Sequence, residues 1–98
     1  MDAELPLVTT VRAASDGPVV GVLGGVHGDE YEGVLAATAL GALLPARLRC
    51  GEVRIAAPAH PAAWSACTRR SPADGADLAR TFPGRPDGSA TEQVAHAV

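Results

Sequence analysis

The sequence predicts an α/β fold built on a mostly parallel sheet, and three observations carry that reading. An unbroken apolar run, "VVGVLGGV" at residues 19–26, has the pattern of a strand covered on both faces. "YEGVLAATALGALL", residues 31–44, is apolar on nearly every side and free of proline until Pro45, so it reads as a buried helix starting at Glu30 or Tyr31. "EVRIAAP", residues 52–58, reads as a further strand ended by Pro58. Strand, helix and strand in about 40 residues form a βαβ unit, normally a right-handed crossover in a parallel sheet.

The remaining elements follow in order. "LVTTVRA", residues 7–13, is β-branched and bounded by "SDGP", hence a short strand and a turn. Within the helix, Gly33 and Gly41 each cost about 1 kcal/mol relative to alanine, which points to close packing against a neighbour. Residues 59–89 change texture to a long loop rich in proline and glycine, and a loop beyond about 12–15 residues in a compact domain is usually functional or disordered. "SATEQVAHAV" then opens a helix, with Ser89 as N-cap and Glu92 three residues on as a capping box.

Ninety-eight residues make one small domain that buries only about two-thirds of its unfolded surface. Its apolar fraction of 47 % holds only 3 % aromatics, so alanine supplies much of the core and each buried side chain contributes little area. Such a core fits a piece of a larger domain. Eight Lys plus Arg against eleven Asp plus Glu give a net charge of −3, which argues against nucleic acid or an anionic membrane as partner. Cys50 and Cys67 form no CxxC pattern and read as reduced thiols, with a disulfide as the minority alternative. "MDAELPLVTT" carries acids where a signal peptide would carry basic residues, and no apolar run reaches the roughly 18 residues of a membrane span, so a cytoplasmic location is expected.

"GGVHGDEYEG", residues 24–33, interrupts the apolar texture at the carboxyl end of the predicted strand, where open α/β sheets bind ligands. An imidazole nitrogen of His27 and a carboxylate oxygen of Glu30, with flexible Gly28 between, can converge on one Zn²⁺ at about 2.0–2.2 Å. Asp29 could cap the helix or orient a ligand. The same four residues also suit a polar strand-to-helix turn whose acids sit favourably on the helix dipole, and spacing alone leaves both readings open. In the later loop, Arg69, Arg70, Arg80 and Arg85 could bind an anion or remain solvated charges.

"GGVHGDEYEG" followed by "DGADLARTFPGRPDGSATEQVA" resembles the succinylglutamate desuccinylase and aspartoacylase family, a branch related to zinc carboxypeptidases. That family shows a "GxHGxExxG" element, then "DLNRxFPG", then Gly-Ser or Gly-Thr and a Glu. The resemblance runs from about Val19 to Ala95. It implies a partial zinc-carboxypeptidase-like fold, in which residues 1–98 form the N-terminal part of a zinc hydrolase catalytic domain and the Pro/Gly-rich loop belongs to the active site.

From the resemblance, His27 and Glu30 are the first two zinc ligands. Arg69, with Arg70 as the alternative, polarises the scissile carbonyl, and Arg80 grips the substrate carboxylate with its paired donors. Two positions depart from the family: Ala79 replaces the Asn before the arginine, and His60-Pro61 stands where Asn-Pro is usual. The family's third ligand, a histidine, and its catalytic Glu fall beyond position 98. His60, after the second strand of the βαβ unit, and His96, at i+4 from Glu92, are the candidates to stand in for a ligand, against plain readings as a loop histidine and a solvated helix face.

Trp64 is read as packing, Phe82-Pro83-Gly84 as a rigid turn that aims Arg80, and Tyr31 as a cover for the helix start. The implied function is hydrolysis of the amide bond in N-acyl amino acids, with small carboxylates as substrates. Cleavage of peptide C-termini is the nearest enzymatic alternative, and a degenerate module that at most binds zinc or an anion weakly is the non-catalytic one. An uncovered sheet edge predicts self-association.

Overall fold

The structure, a computed structural model, describes residues 3–98. Its elements are strand β1 (Val8–Arg12), strand β2 (Val19–Leu23), helix α1 (Glu32–Leu43), strand β3 (Glu52–Ala56), helix α2 (Pro61–Ala66) and helix α3 (Ala90–Ala97), with 3-10 turns at Leu44–Ala46 and Leu78–Arg80. No helix among the described residues is long and apolar enough to cross a membrane.

The sheet has the order β1-β3-β2 and is mixed. β2 pairs with β3 in parallel, Val22 beside Ile55, and α1 forms the crossover between them, as the βαβ reading expected. β1 pairs with the other side of β3 in antiparallel register, Val8 opposite Ala56, so the sheet is not mostly parallel. The cause lies in the short link at residues 13–18. It reverses the chain, and β3 then enters the gap between β1 and β2, so it must be antiparallel to one of them. β-branched residues mark β1 as a strand but carry no information on its direction.

β3 is the covered strand, with Val53, Ile55 and Ala56 buried, whereas β2 is an edge strand that leaves Val19, Val20 and Leu23 exposed. The unalternating run at 19–26 therefore does not mark a strand covered on both faces. α1 lies on one face of the sheet, where Ala37 packs with Val53 and Ile55, and Val22, Leu44 and Leu48 close the cluster. On the opposite face Val8, Val19 and Leu23 flank a groove that the end of α3, at Ala97 and Val98, also lines. Only Val34 and Ala37 of α1 are buried, and Leu35 and Leu43 face outward, so α1 is not the buried helix expected. A second cluster, Leu78, Val94 and Ala95 with Ala3 and Val26, ties α3 to the loop that follows α2.

Residues 59–89 are more ordered than a proline-rich loop. Pro61 occupies the first turn of α2, where its missing N–H is no loss and its fixed φ suits the helix. Cys67 ends α2 in the left-handed region at φ 55°. Ser89 caps α3 in the reciprocal capping box with Glu92. Asp29 does not cap α1: Tyr31 is the N-cap residue, with no side-chain hydrogen bond. Cys50 and Cys67 are free and exposed.

Candidate functional site

Because β2 and β3 are parallel, their carboxyl ends deliver the chain to one rim of the sheet. Backbone pairing continues past both strands there: Ala59 N–H donates to Gly24 O at 2.7 Å and His60 N–H to Gly25 O at 3.2 Å. The glycines of "GGVHGDEYEG" permit this packing. A Cβ on Gly24 would lie 2.4 Å from the Gly33 carbonyl oxygen, and one on Gly28 would lie 2.0 Å from Ala63 O, so α1 and α2 press on the loop from two sides. Gly25 adopts φ +74°.

This loop presents His27 between two carboxylates. Its Nδ1 stands 2.8 Å from Glu30 Oε2, and its Nε2 stands 2.9 Å from Asp77 Oδ1, which arrives from the 3-10 turn 50 positions later. Carboxylates only accept, so both contacts are satisfied together when the ring is the imidazolium. The His27 pKa is accordingly raised, first by the Asp77 hydrogen bond, against partial desolvation, and then by Glu30. The Asp77 carboxyl is lowered by the same bond to His27, with a further contribution from the Ala79 N–H.

Arg69 Nη1 lies 4.0 Å from Glu30 Oε1, a contact between two largely exposed side chains. Arg70 turns away, its Nη1 donating to Gly75 O at 3.5 Å. Arg80 ends the turn that Asp77 caps; it is exposed and forms no ion pair among the described residues. Thus His27, Glu30 and Arg69 come together, Arg80 stands nearby in the chain through Asp77, and Arg70 faces its own loop. The "D" of "DLAR" is the residue whose role spacing did not reveal, although it lay inside the quoted motif.

The loop itself is anchored by Asp74. Its Oδ2 accepts from Thr91 N–H at 2.9 Å and its Oδ1 from the Thr91 hydroxyl and from Ala76 N–H at 3.0 Å. Burial alone would raise this carboxyl, but the hydrogen bonds from Thr91 and Ala76 outweigh it and hold the group far below the usual carboxylate range.

His60 and His96 do not join the group. His60 lies in the loop between β3 and α2, as the plain reading had it, but it is buried there as the N-cap residue of α2 and has no hydrogen-bond partner on either ring nitrogen among the described residues; His96 is exposed on α3. No three His, Cys, Asp or Glu side chains among the described residues cluster as a metal site. As a pair, His27 and Glu30 suit a divalent ion: two donors on a tetrahedral zinc stand about 3.4 Å apart, so their contact would open by about half an ångström. Asp77 on the far nitrogen fixes the ring with Nδ1 toward Glu30, the arrangement a metal-binding histidine requires.

A family model for the succinylglutamate desuccinylase/aspartoacylase catalytic domain matches residues 16–98. The N-alpha-acetyl-L-2,4-diaminobutyric acid deacetylase of Halomonas elongata is 45 % identical over 86 residues, 88 % of this chain but 25 % of that protein, so the chain spans about a quarter of the curated relative it matches. Among solved structures, an aspartoacylase family protein from Mesorhizobium loti superposes with a TM-score of 0.83 at 34 % identity, covering 99 % of this chain and 37 % of that one. The product-bound ectoine utilization protein EutE from Ruegeria pomeroyi superposes with a TM-score of 0.81 at 39 % identity, covering 91 % of this chain and 27 % of that one.

Proposed function

The chain belongs to the succinylglutamate desuccinylase/aspartoacylase catalytic-domain family, and from that premise we propose that it serves zinc-dependent hydrolysis of the amide bond in small N-acyl amino acids. The observation that best supports this is the 2.8 Å approach of His27 Nδ1 to Glu30 Oε2, with Asp77 locking the opposite nitrogen. His27 and Glu30 hold the zinc. Bound there, zinc supplies a water that ionises near neutral pH and a Lewis acid for the carbonyl.

The chain's own residues do the rest of what this rim can do. Asp77 accepts a hydrogen bond from the Nε2–H, which stays on the ring, and so keeps Nδ1 aimed toward the ion. Arg69, already beside Glu30, steadies the charge that develops on the carbonyl oxygen. Arg80 binds the substrate carboxylate, and Arg70 adds positive charge to the same loop. Acetylated diaminobutyrate, the substrate in the name of the Halomonas relative, is the first compound to try.

A second reading applies to these residues taken alone. Catalytic zinc takes three protein ligands and a water, and the described residues bring two donors together. This favours weak zinc or anion binding without turnover. The single cysteines, both free, support a cytoplasmic location, and the outer edge of β2 supports self-association.

The deciding experiment measures zinc content and amine release from N-acetyl-2,4-diaminobutyrate, N-succinylglutamate and N-acetylaspartate, in the protein and in His27→Ala. Zinc and amine release both lost in the variant support the hydrolase. Zinc bound through His27 with no amine release selects the binding module. Equal zinc affinity in both proteins removes the metal site itself.

A further inference from the structure

A cavity of about 250 Å³ lies where α2, the loop around Ser71 and α3 meet, and it shares no lining residue with the His27 group. Ala62, Ala73, Ala90 and Val94 give it walls of methyl groups. Three polar side chains interrupt them: His60 and Ser71, which are 1 % and 4 % exposed, and the exposed Glu4, whose negative charge also disfavours an anion. The Ser71 Oγ accepts from Ala73 N–H at 3.3 Å, which leaves its own proton to donate. Both ring nitrogens of His60 lack a partner among the described residues.

The main chain of His60 is held on both sides of the ring. Its N–H is tied to Gly25 O at 3.2 Å and its carbonyl accepts from Trp64 N–H at 3.0 Å. Buried polar groups in folded proteins almost always have partners, so the ring calls for an occupant that both donates and accepts. Burial keeps the imidazole neutral, and the nearby Asp74 carboxylate makes the cavity unwelcoming to anions. A cluster of waters would find few polar partners on these walls, whereas an apolar cavity of about 150 Å³ already accepts a benzene ring. The occupant is therefore larger than water, largely apolar and polar at one end.

We propose that this cavity is a binding site for a small neutral molecule with a ring-sized or branched apolar body and one hydroxyl or carboxamide group, which His60 and Ser71 hold. The site owes nothing to the zinc reading, since none of its residues belongs to the His27 group.

The test titrates the isotopically labelled chain with benzamide and benzyl alcohol, with benzoate as the anionic control, and follows the methyl resonances of the alanines and Val94 and the His60 ring nitrogens. Saturable shifts confined to these positions, with benzoate binding at least tenfold more weakly, are expected. His60→Leu should weaken benzamide at least tenfold and, without a probe, raise Tm, because it removes two orphaned polar atoms. Should that variant fail to fold, Ser71→Ala is expected to weaken benzamide about threefold. No saturable shift from either neutral probe, or equal binding in the variants, would overturn the site. So would ordered waters on both ring nitrogens that neither probe displaces.

Discussion

Asp77 Oδ1 stands 2.9 Å from His27 Nε2 across 50 positions of sequence, and this contact decides which nitrogen of the ring faces Glu30. Removing its charge while keeping its shape, in Asp77→Asn, should therefore lower zinc affinity 10- to 100-fold. Isothermal titration with zinc checks this; an unchanged Kd would mean that the loop glycines alone orient the ring.

The same contact sets a pH dependence. The folded His27 pKa lies above its ordinary value, so the imidazolium contributes stability that is fully present below about pH 6.5 and is lost as pH rises through the folded value. Zinc must displace the Nδ1 proton, so its affinity should climb with pH across the same window. A histidine NMR titration should show His27 titrating above its ordinary value, and lower in Asp77→Asn. No difference between the two proteins would contradict the assignment.

Gly28→Ala should be severely destabilising, because the new Cβ would meet backbone atoms of α2, Ala63 O at 2.0 Å and Trp64 N at 2.5 Å, rather than a movable side chain. A loss of about 2 kcal/mol or more, several degrees or more in Tm, is expected for a domain of this size. Gly75→Ala is the control: at φ +72° with open space around it, it carries backbone strain alone, about 1 kcal/mol. Equal Tm values for the two variants would show that α2 yields to the loop.

How much of this was readable beforehand divides by distance along the chain. His27, Glu30 and the Ser89–Glu92 capping box depend on residues three apart, and they stand where the spacing put them. The Asp77 contact and the burial of His60 depend on tertiary packing between segments that local pattern does not join. α2 was hidden because Pro61 looks like a loop residue until it is seen at a helix start. β1 is visible as a strand, yet its direction is set by its antiparallel pairing with β3, which local pattern does not reveal.

Asp74 offers a stability test away from the rim. Its folded pKa lies far below the ordinary value of about 3.9, so its contribution is present above that pH and disappears as pH falls below it. Asp74→Asn should destabilise by about 1–3 kcal/mol at pH 7, since it weakens bonds to Thr91 and Ala76. Denaturant unfolding should show the difference from the parent shrinking toward pH 3, and a constant difference would contradict the role of the charge.

Val19 and Leu23 share one face of the edge strand β2 and are 56 % and 43 % exposed. Sedimentation velocity should show association that grows with concentration, and Leu23→Lys should shift the protein toward monomer. Monomeric behaviour of the parent at high concentration would remove the self-association proposal.

The placement of β3 between β1 and β2 also sets a timetable for the newborn chain. Two strands emerge from the ribosome with no neighbour to pair with, and they wait through all of α1 until Ala56 has cleared the exit tunnel. Only then can both ladders close, in one concerted event around the central strand. A pause in translation before that point would leave two unsatisfied strands in reach of other chains, and one shortly after it would leave both ladders of β3 paired.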